Sequence, residues 1–142
     1  MKKTIILSLL LLTSICVSAQ QPKFDPAKFD ADLEQFITTE ACLSPQQASA
    51  FFPVYREMLR KERILFDQMR RYRHRDTSDD AACRDAIEHQ DKLDIQIKEI
   101  QQEYHNKFMK ILPEGKVFKI LRAEEKFHRQ AFRRMARPQF RP

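Results

Sequence analysis

The sequence lacks several features that many enzymes and sheet proteins need. Its 142 residues include one glycine, Gly115, and no tryptophan. A chain with a single glycine has neither a phosphate-cradling loop nor a Gly-x-Ser-x-Gly nucleophile elbow. Alternating runs of β-branched residues, which indicate half-buried strands, are also missing. The abundant residues mostly favour helices, so we expect an all-α protein that is not an enzyme.

The first residues have the pattern of an export signal. A positive start at Lys2 and Lys3 precedes an apolar run over residues 5–12 and a small-x-small site at residues 17–19. We therefore expect a signal peptide over residues 1–19, which is removed to leave a soluble periplasmic protein. The apolar run is too short for a permanent anchor. Attachment of lipid to Cys16 is disfavoured because Ile15, just before it, is larger than such sites accept.

The charge of the mature chain is moderately basic. Without Lys2 and Lys3, 24 of the 26 Lys and Arg residues remain, against 20 Asp and Glu. Basic proteins often bind nucleic acid, but an exported protein rarely meets any, so this function is disfavoured. Residues 56–75 and 113–142 are rich in Lys and Arg, whereas residues 23–41 and 76–112 lean acidic. The pattern favours oppositely charged helices lying side by side.

Start signals predict the first two helices. Asp25 and Pro26 match an N-cap followed by proline at the first helical position. Ser44 and Gln47 match a Ser-x-x-Gln capping box around Pro45, with Leu43 and Ala48 at the positions of a hydrophobic staple. The second helix should run from Pro45 to about residue 74, with Pro53 bending it early.

Turn formers and acids at residues 76–80 predict the connection to a third helix, from about residue 79 to residue 112. Pro113 then predicts the first position of a fourth helix, which ends near residue 136 before a basic tail at 137–142. Residues 20–136 should form one domain, an elongated antiparallel helical hairpin with two shorter flanking helices. A chain this thin buries little surface, so we expect a homodimer.

Two Leu-x-x turns carry a resemblance to a known family. The stretch Leu43-Ser44-Pro45-Gln46-Gln47 opens the long helix, and Leu112-Pro113 opens the last one. The chain resembles the Spy/CpxP family of periplasmic stress proteins, which is named for its Leu-Thr-x-x-Gln motif. Residues 36–55 and 119–127 are similar to the variant common in Bacteroidota, whose members are often labelled sensors of extracytoplasmic sigma factors. This chain departs from the motif in having Ser44 for threonine, and Glu114-Gly115-Lys116 provides neither the cap nor the glutamine of a second copy.

The resemblance implies a cradle-shaped antiparallel dimer that holds unfolded or misfolded envelope proteins without ATP. The alternative is a regulatory adaptor or sensor of an envelope-stress pathway, acting on an anti-sigma protein or sensing a metal. Unfolded clients expose apolar groups, which flexible Met and Phe side chains beside Arg and Lys suit. The same Phe and Met stripe is more often core. The candidate client-binding residues are Arg56, Met58, Arg60, Lys61, Phe66, Met69, Phe118, Phe132 and Met135.

The two mature cysteines lie at either end of the long helix. Cysteines usually pair in an oxidising compartment, but a bridge needs Cα atoms within about 7 Å. Within one chain, Cys42 and Cys83 should lie too far apart. An antiparallel dimer brings the start of one long helix toward the far end of its partner, so an intermolecular disulfide between Cys42 and Cys83 is a hypothesis.

Metal and membrane binding have weaker patterns. No pair of histidines has the His-x-x-x-His spacing of a helical metal site. Glu125 and His128 match half of a di-iron motif, but Gln102 stands where the other half, ending at His105, needs Glu. We therefore expect no metal and no cofactor. Contact with anionic lipid headgroups through the basic arms is a further alternative, which salt should abolish.

Overall fold

The computed structural model describes residues 25–73 and 78–136 and consists of four helices. They are α1 (Pro26–Glu40), α2 (Pro45–Tyr72), α3 (Asp80–Ile111) and α4 (Glu114–Ala136). The prediction of an all-α chain is confirmed, since these two ranges contain no strand. The predicted signal peptide, the predicted tail and residues 76 and 77 of the predicted connection lie outside the described residues.

The ends of α1 are both closed by local hydrogen bonds. The Asp25 carboxylate accepts from the N–H groups of Ala27 and Lys28, as expected of an N-cap. At the other end, the Leu43 N–H donates to the Thr38 carbonyl over 3.0 Å, one bond of a Schellman motif. These bonds satisfy backbone groups that helix ends otherwise leave unpaired.

Cys42 holds the left-handed position that follows α1. Its φ is 51°, a region that glycine adopts more easily, and its N–H donates to the Thr39 carbonyl. The Lys116 ammonium of α4 donates to the carbonyls of Ala41, over 3.1 Å, and Cys42. A charge from α4 therefore closes the end of α1.

The start of α2 is a complete capping box. The Ser44 hydroxyl accepts from the Gln47 N–H over 3.2 Å, and the Gln47 side-chain oxygen accepts from the Ser44 N–H over 3.1 Å. Pro45 occupies the first helical position, and Pro53 lies inside the helix. Leu43 is buried and Ala48 packs against the same core, so the two staple positions meet the same apolar cluster.

The two remaining helix starts differ in detail. Asp79 caps α3 by accepting from the N–H groups of Ala81 and Ala82. Pro113 was expected at the first helical position of α4, but it precedes Glu114, the first helical residue. The Pro113 carbonyl accepts from the Val117 N–H over 3.1 Å, so the proline occupies the flanking cap position instead.

One apolar core joins all four helices. Its centre is aromatic: Phe51 lies 4.8 Å from Phe108 between ring centroids, and Tyr55 stacks on Phe51. The rest of the core is aliphatic or aromatic and fully buried or nearly so. Its further buried members are Leu33, Ile37, Ala41, Leu43, Phe52, Met58, Tyr104, Leu112, Val117, Ile120 and Ala123.

The long helices also touch far from this core. Phe51, early in α2, meets Phe108, late in α3, whereas Tyr72 at the end of α2 stacks on His89, early in α3, with centroids 4.9 Å apart. Contacts between α2 and α3 therefore pair early residues of one with late residues of the other. Between Asp80 and Ile100 of α3, the buried side chains are Leu93 and Ile97.

The shorter helices pack on each other and on α2. Phe29 of α1 lies edge-on to Phe127 of α4, with centroids 5.2 Å apart. Arg56 and Arg63 of α2 form ion pairs with Glu34 and Asp30 of α1. Along residues 25–73 and 78–136, no helix is long and apolar enough to cross a membrane.

The capping box predicts a measurable loss of stability. Ser44→Ala removes the acceptor of the Gln47 N–H and should lower the free energy of unfolding by about 1 kcal/mol, measured by urea denaturation. Ser49→Ala is the matched control, because the Ser49 hydroxyl bonds only the carbonyl of Gln46 within the helix. That control should be neutral or slightly stabilising. Equal losses in the two variants would contradict the capping role.

Candidate functional site

The predicted client-binding residues divide into exposed and buried groups. Phe118, Phe132 and Met135 are 61%, 69% and 72% exposed, and Phe66 is 47% exposed. Met58 is 2% exposed and belongs to the core, so the prediction that it contacts a client is wrong. It lies on the inward stripe of α2, where packing against the core leaves no surface for a partner.

The predicted basic residues of α2 are largely engaged with neighbours. Arg56 makes two hydrogen bonds of 2.6 Å to the carboxylate of Glu34, which raise the pKa of its guanidinium. The Lys61 ammonium lies 5.1 Å from the centre of the Tyr104 ring. Arg60 is exposed and Met69 is half-buried. Of the predicted set, the part that presents free apolar surface is therefore mostly on α4.

The outward side of α4 combines apolar and basic side chains. We call it the α4 outer face, and its members are all exposed. Arg122 lies over the ring of Phe118 at 5.9 Å, so charge and apolar surface are in contact there. The residues of the α4 outer face are Phe118, Lys119, Arg122, Glu125, Arg129, Phe132, Arg133 and Met135.

Polar side chains interrupt the apolar core at two positions of α2, Tyr55 and Glu62, which lie about two helical turns apart. Gln101 of α3 donates from its amide to the Glu62 carboxylate of α2 over 2.8 Å. The Tyr55 hydroxyl donates to the Glu124 carboxylate of α4 over 2.8 Å. We call Tyr55, Glu62, Gln101 and Glu124 the polar layer. It ties α2 to both α3 and α4 by hydrogen bonds between side chains.

The environment of the polar layer favours uncharged forms. Burial, followed by the charge of Glu124 and the hydrogen bond to it, raises the pKa of the Tyr55 phenol far above its usual range. Burial also raises the pKa of Glu62, and the charge of Glu124 acts in the same direction. The Gln101 hydrogen bond, Lys98 and His128 oppose that rise. Desolvation outweighs them because a buried carboxylate loses its hydration.

Glu62 is the one charged residue that is buried in the described part of the chain, with 6% exposure. No Lys or Arg of residues 25–73 and 78–136 forms an ion pair with it within 4 Å. Its hydrogen bond to Gln101 uses one carboxylate oxygen. Buried charges are normally paired, so this arrangement marks a candidate site.

Two histidines border the polar layer. The His128 Nε2 atom lies 3.9 Å from the Glu124 carboxylate, and the ring lies 5.9 Å from that of Phe29. Burial lowers the pKa of His105, against a smaller opposite effect of Glu124. His105 lines the same cleft as Glu62 and Glu124.

Two open clefts meet at Glu62. The cleft between α1 and α2, which we call the α1-side cleft, has a volume of about 400 Å³ and mostly apolar walls. The cleft toward α3, the α3-side cleft, has about 630 Å³. Leu59, Glu62, Phe66 and His128 line both clefts. Glu62 thus lies at the junction of the two clefts.

The predicted cysteines and metal ligands remain apart. Cys42 is exposed after α1, and Cys83 is half-buried in the first turn of α3. Glu125 forms an ion pair with Arg129, while His128 lies beside Glu124. Across the described ranges, no three His, Cys, Asp or Glu side chains are grouped to hold a metal.

Sequence analysis missed the polar layer, although the pattern contained a signal. Position 62 continues the inward stripe of α2 that includes Phe51, Tyr55 and Met58 at spacings of four and three. Position 101 likewise lies between Ile97 and Tyr104 on the inward stripe of α3. A polar residue at a core position of an amphipathic helix indicates either a buried network or a functional group.

Comparisons with known proteins identify no relative from which the site could be assigned. No protein-family model, no curated protein and no solved structure matches the chain.

Two buried tyrosines allow the polar layer to be tested against a control. Tyr55→Phe removes the hydrogen bond to Glu124 and should lower the free energy of unfolding by about 1.5–3 kcal/mol. Tyr104 is equally buried, but its hydroxyl makes no hydrogen bond within 3.5 Å among the described residues and only lies near the side chains of Glu57 and Lys61, so Tyr104→Phe should cause a smaller loss. Urea denaturation of both variants measures the difference. A loss in Tyr104→Phe as large as that in Tyr55→Phe would contradict this assignment.

Substitution of Glu62 should increase the stability of the fold, by an amount that depends on pH. Because its folded pKa is raised above 4.5, wild-type stability falls as pH rises through and above that value. Glu62→Gln keeps an acceptor for Gln101 and avoids that loss. Its melting temperature should exceed that of the wild type at pH 7, and the excess should shrink as pH falls to about 4.5.

Glu103→Gln provides a control of opposite sign. The hydrogen bond from Lys107 lowers the pKa of the exposed Glu103 carboxyl, so its ionised form favours the fold. This variant should be no more stable than the wild type at pH 7, and any deficit should vanish at low pH. A lower melting temperature for Glu62→Gln at pH 7 would contradict the unfavourable burial of the charge.

Proposed function

We propose that this protein is a periplasmic, ATP-independent chaperone-like binding protein of the envelope-stress response. It holds unfolded envelope proteins on a basic and apolar helical surface. The observation that carries this proposal is the α4 outer face, on which Phe118, Phe132 and Met135 are more than half exposed among arginines and lysines. Large apolar side chains that remain exposed in a group often serve in binding.

The chemistry of this surface suits unfolded polypeptides. An unfolded client presents apolar side chains in no fixed order, and flexible Met135 adapts its shape to them. Arg122 and Arg133 attract acidic clients at long range, and that attraction weakens with salt. Such contacts need no bound nucleotide, so the proposed binding is independent of ATP.

The proposal also includes a cradle-shaped dimer of this chain. We propose that α2 and α3 act as an antiparallel hairpin, that α1 and α4 flank it, and that two copies pair as a homodimer. Support comes from exposed Ile87 and Ile95 on α3, which would lose contact with water in a dimer. An intermolecular Cys42–Cys83 disulfide belongs to the same dimer.

A suppression assay tests the function directly. The mature chain, residues 20–142, should suppress light scattering by several chemically denatured clients at near-stoichiometric ratios without ATP. Phe132→Ser/Met135→Ser should need at least about fivefold more protein for equal suppression, because burying each such side chain contributes about 1.5–3 kcal/mol. Ile64→Ser/Met109→Ser removes exposed side chains from α2 and α3, outside both the α4 outer face and the proposed dimer contact, and should retain suppression.

The outcomes separate the two proposed functions. Suppression by none of the clients would reject the chaperone function. If a pull-down then recovered one discrete envelope-stress partner, the regulatory adaptor would take its place. Equal losses in the Ile64/Met109 control and the Phe132/Met135 variant would contradict the assignment of the binding surface to α4. A loss of binding to anionic vesicles in high salt, without any suppression, would favour the lipid alternative.

A further inference from the structure

Among residues 25–73 and 78–136, no Lys or Arg forms an ion pair within 4 Å with the buried carboxylate of Glu62. Its position on α2 is 6% exposed and would suit an apolar side chain, as Met58 one turn earlier illustrates. Retaining a carboxylate there opposes stability unless something positive meets it. The carboxylate therefore has a use that core packing does not explain.

The charges around Glu62 leave it available. Arg63 pairs with Asp30 over 3.1 Å, and the Lys98 ammonium donates to the side-chain oxygen of Gln101 over 2.9 Å. Arg70 pairs with Asp67, and Arg129 with Glu125. Glu124, which accepts from Tyr55, adds a second carboxylate in the α3-side cleft. The Lys and Arg side chains that line the clefts are thus engaged with other groups, and none of them pairs with the Glu62 carboxylate.

The walls of the α1-side cleft add apolar surface next to this carboxylate. Phe29 and Phe66 belong to opposite helices and both line it, together with Leu33, Leu59 and Pro26. A ligand that fits must therefore carry a positive group and a large apolar group close together. Charge complementarity selects the first and the apolar walls select the second.

We propose that the junction of the two clefts binds a lysine side chain of an unfolded polypeptide, together with a large apolar neighbour in its sequence. The ammonium pairs with the Glu62 carboxylate, and the apolar side chain lies against Phe29 and Phe66 in the α1-side cleft. This inference rests on the proposed function, and it adds a preference that the basic α4 outer face does not supply. The outer face attracts acidic segments, whereas the Glu62 junction selects Lys beside an apolar residue.

Matched short peptides test the inference. Three unstructured Gly/Ser peptides that differ only in Phe-Lys, Phe-norleucine or Phe-Glu are titrated into the mature protein by calorimetry. The wild type should bind the Phe-Lys peptide about tenfold more tightly than the Phe-norleucine peptide, since the ammonium adds a charged hydrogen bond. The Phe-Glu peptide should bind more weakly than either at this site.

Two variants with the same change of net charge locate the effect. Glu62→Gln should abolish the preference for Phe-Lys over Phe-norleucine, and Glu103→Gln should keep it. A cooperative melting curve of Glu62→Gln would establish that the variant is folded. A wild type without the preference, or a Glu62→Gln variant that retains it, would overturn the inference.

The same proteins separate this inference from the proposed function. Suppression of aggregation by a wild type that shows no preference for Lys would overturn the inference and leave the chaperone function in place. Selective binding of the Phe-Lys peptide without any suppression would support the Glu62 junction and reject the chaperone function.

Discussion

The unequal lengths of the helices constrain everything else in this structure. At 1.5 Å per residue, α2 and α3 are about 42 and 48 Å long, whereas α1 and α4 are about 22 and 34 Å long. The short helices therefore cover only part of the apolar stripes of the long ones. The dense aromatic core lies where all four helices meet, around Phe51 and Phe108. Away from it, α2 and α3 have mainly each other, and large side chains such as Ile87, Ile95 and Phe66 remain exposed.

The boundary of the covered region is also where the polar layer lies. Hydrogen bonds from Gln101 to Glu62 and from Tyr55 to Glu124 hold α3 and α4 against α2 at positions about two helical turns apart. Such bonds are directional, so they fix which residues face each other more strictly than apolar contacts do. Burial makes this position unfavourable for the negative charge of the Glu62 carboxylate. A group that opposes stability and lines two clefts is a stronger candidate for function than one that the fold requires.

Helix α4 has one side that packs in the core and an opposite side that is exposed. Val117, Ile120 and Ala123 face the core, whereas Phe118 and Arg122 face outward. Its ion pairs link it to α1, as in the contact of 2.8 Å between Lys126 and Glu40. The inward side thus contributes to stability and the outward side remains available for partners. Substitutions on the outward side can alter binding with little effect on the fold.

The sequence by itself determined the helical class and the places where α1 and α2 begin, because caps such as Asp25 and Ser44 act through backbone groups a few residues away. It also placed Leu33, Tyr55 and Phe108 on inward stripes, since helical periodicity depends only on spacing. The Pro113 start was displaced by one residue, a difference that hydrogen bonding at the helix end decides. Met58 was assigned to a binding surface because a stripe of apolar residues has the same pattern whether a client or another helix covers it.

Only the tertiary structure decided which polar residues meet. Glu62 and Gln101 are 39 positions apart, and Tyr55 and Glu124 are 69 positions apart. No local rule brings them together, because their distances depend on how three helices pack. The burial of Glu62, its lack of a cation among the described residues and its position between two clefts follow from that packing. Local chemistry thus fixed the elements, and the contacts between them created the candidate site.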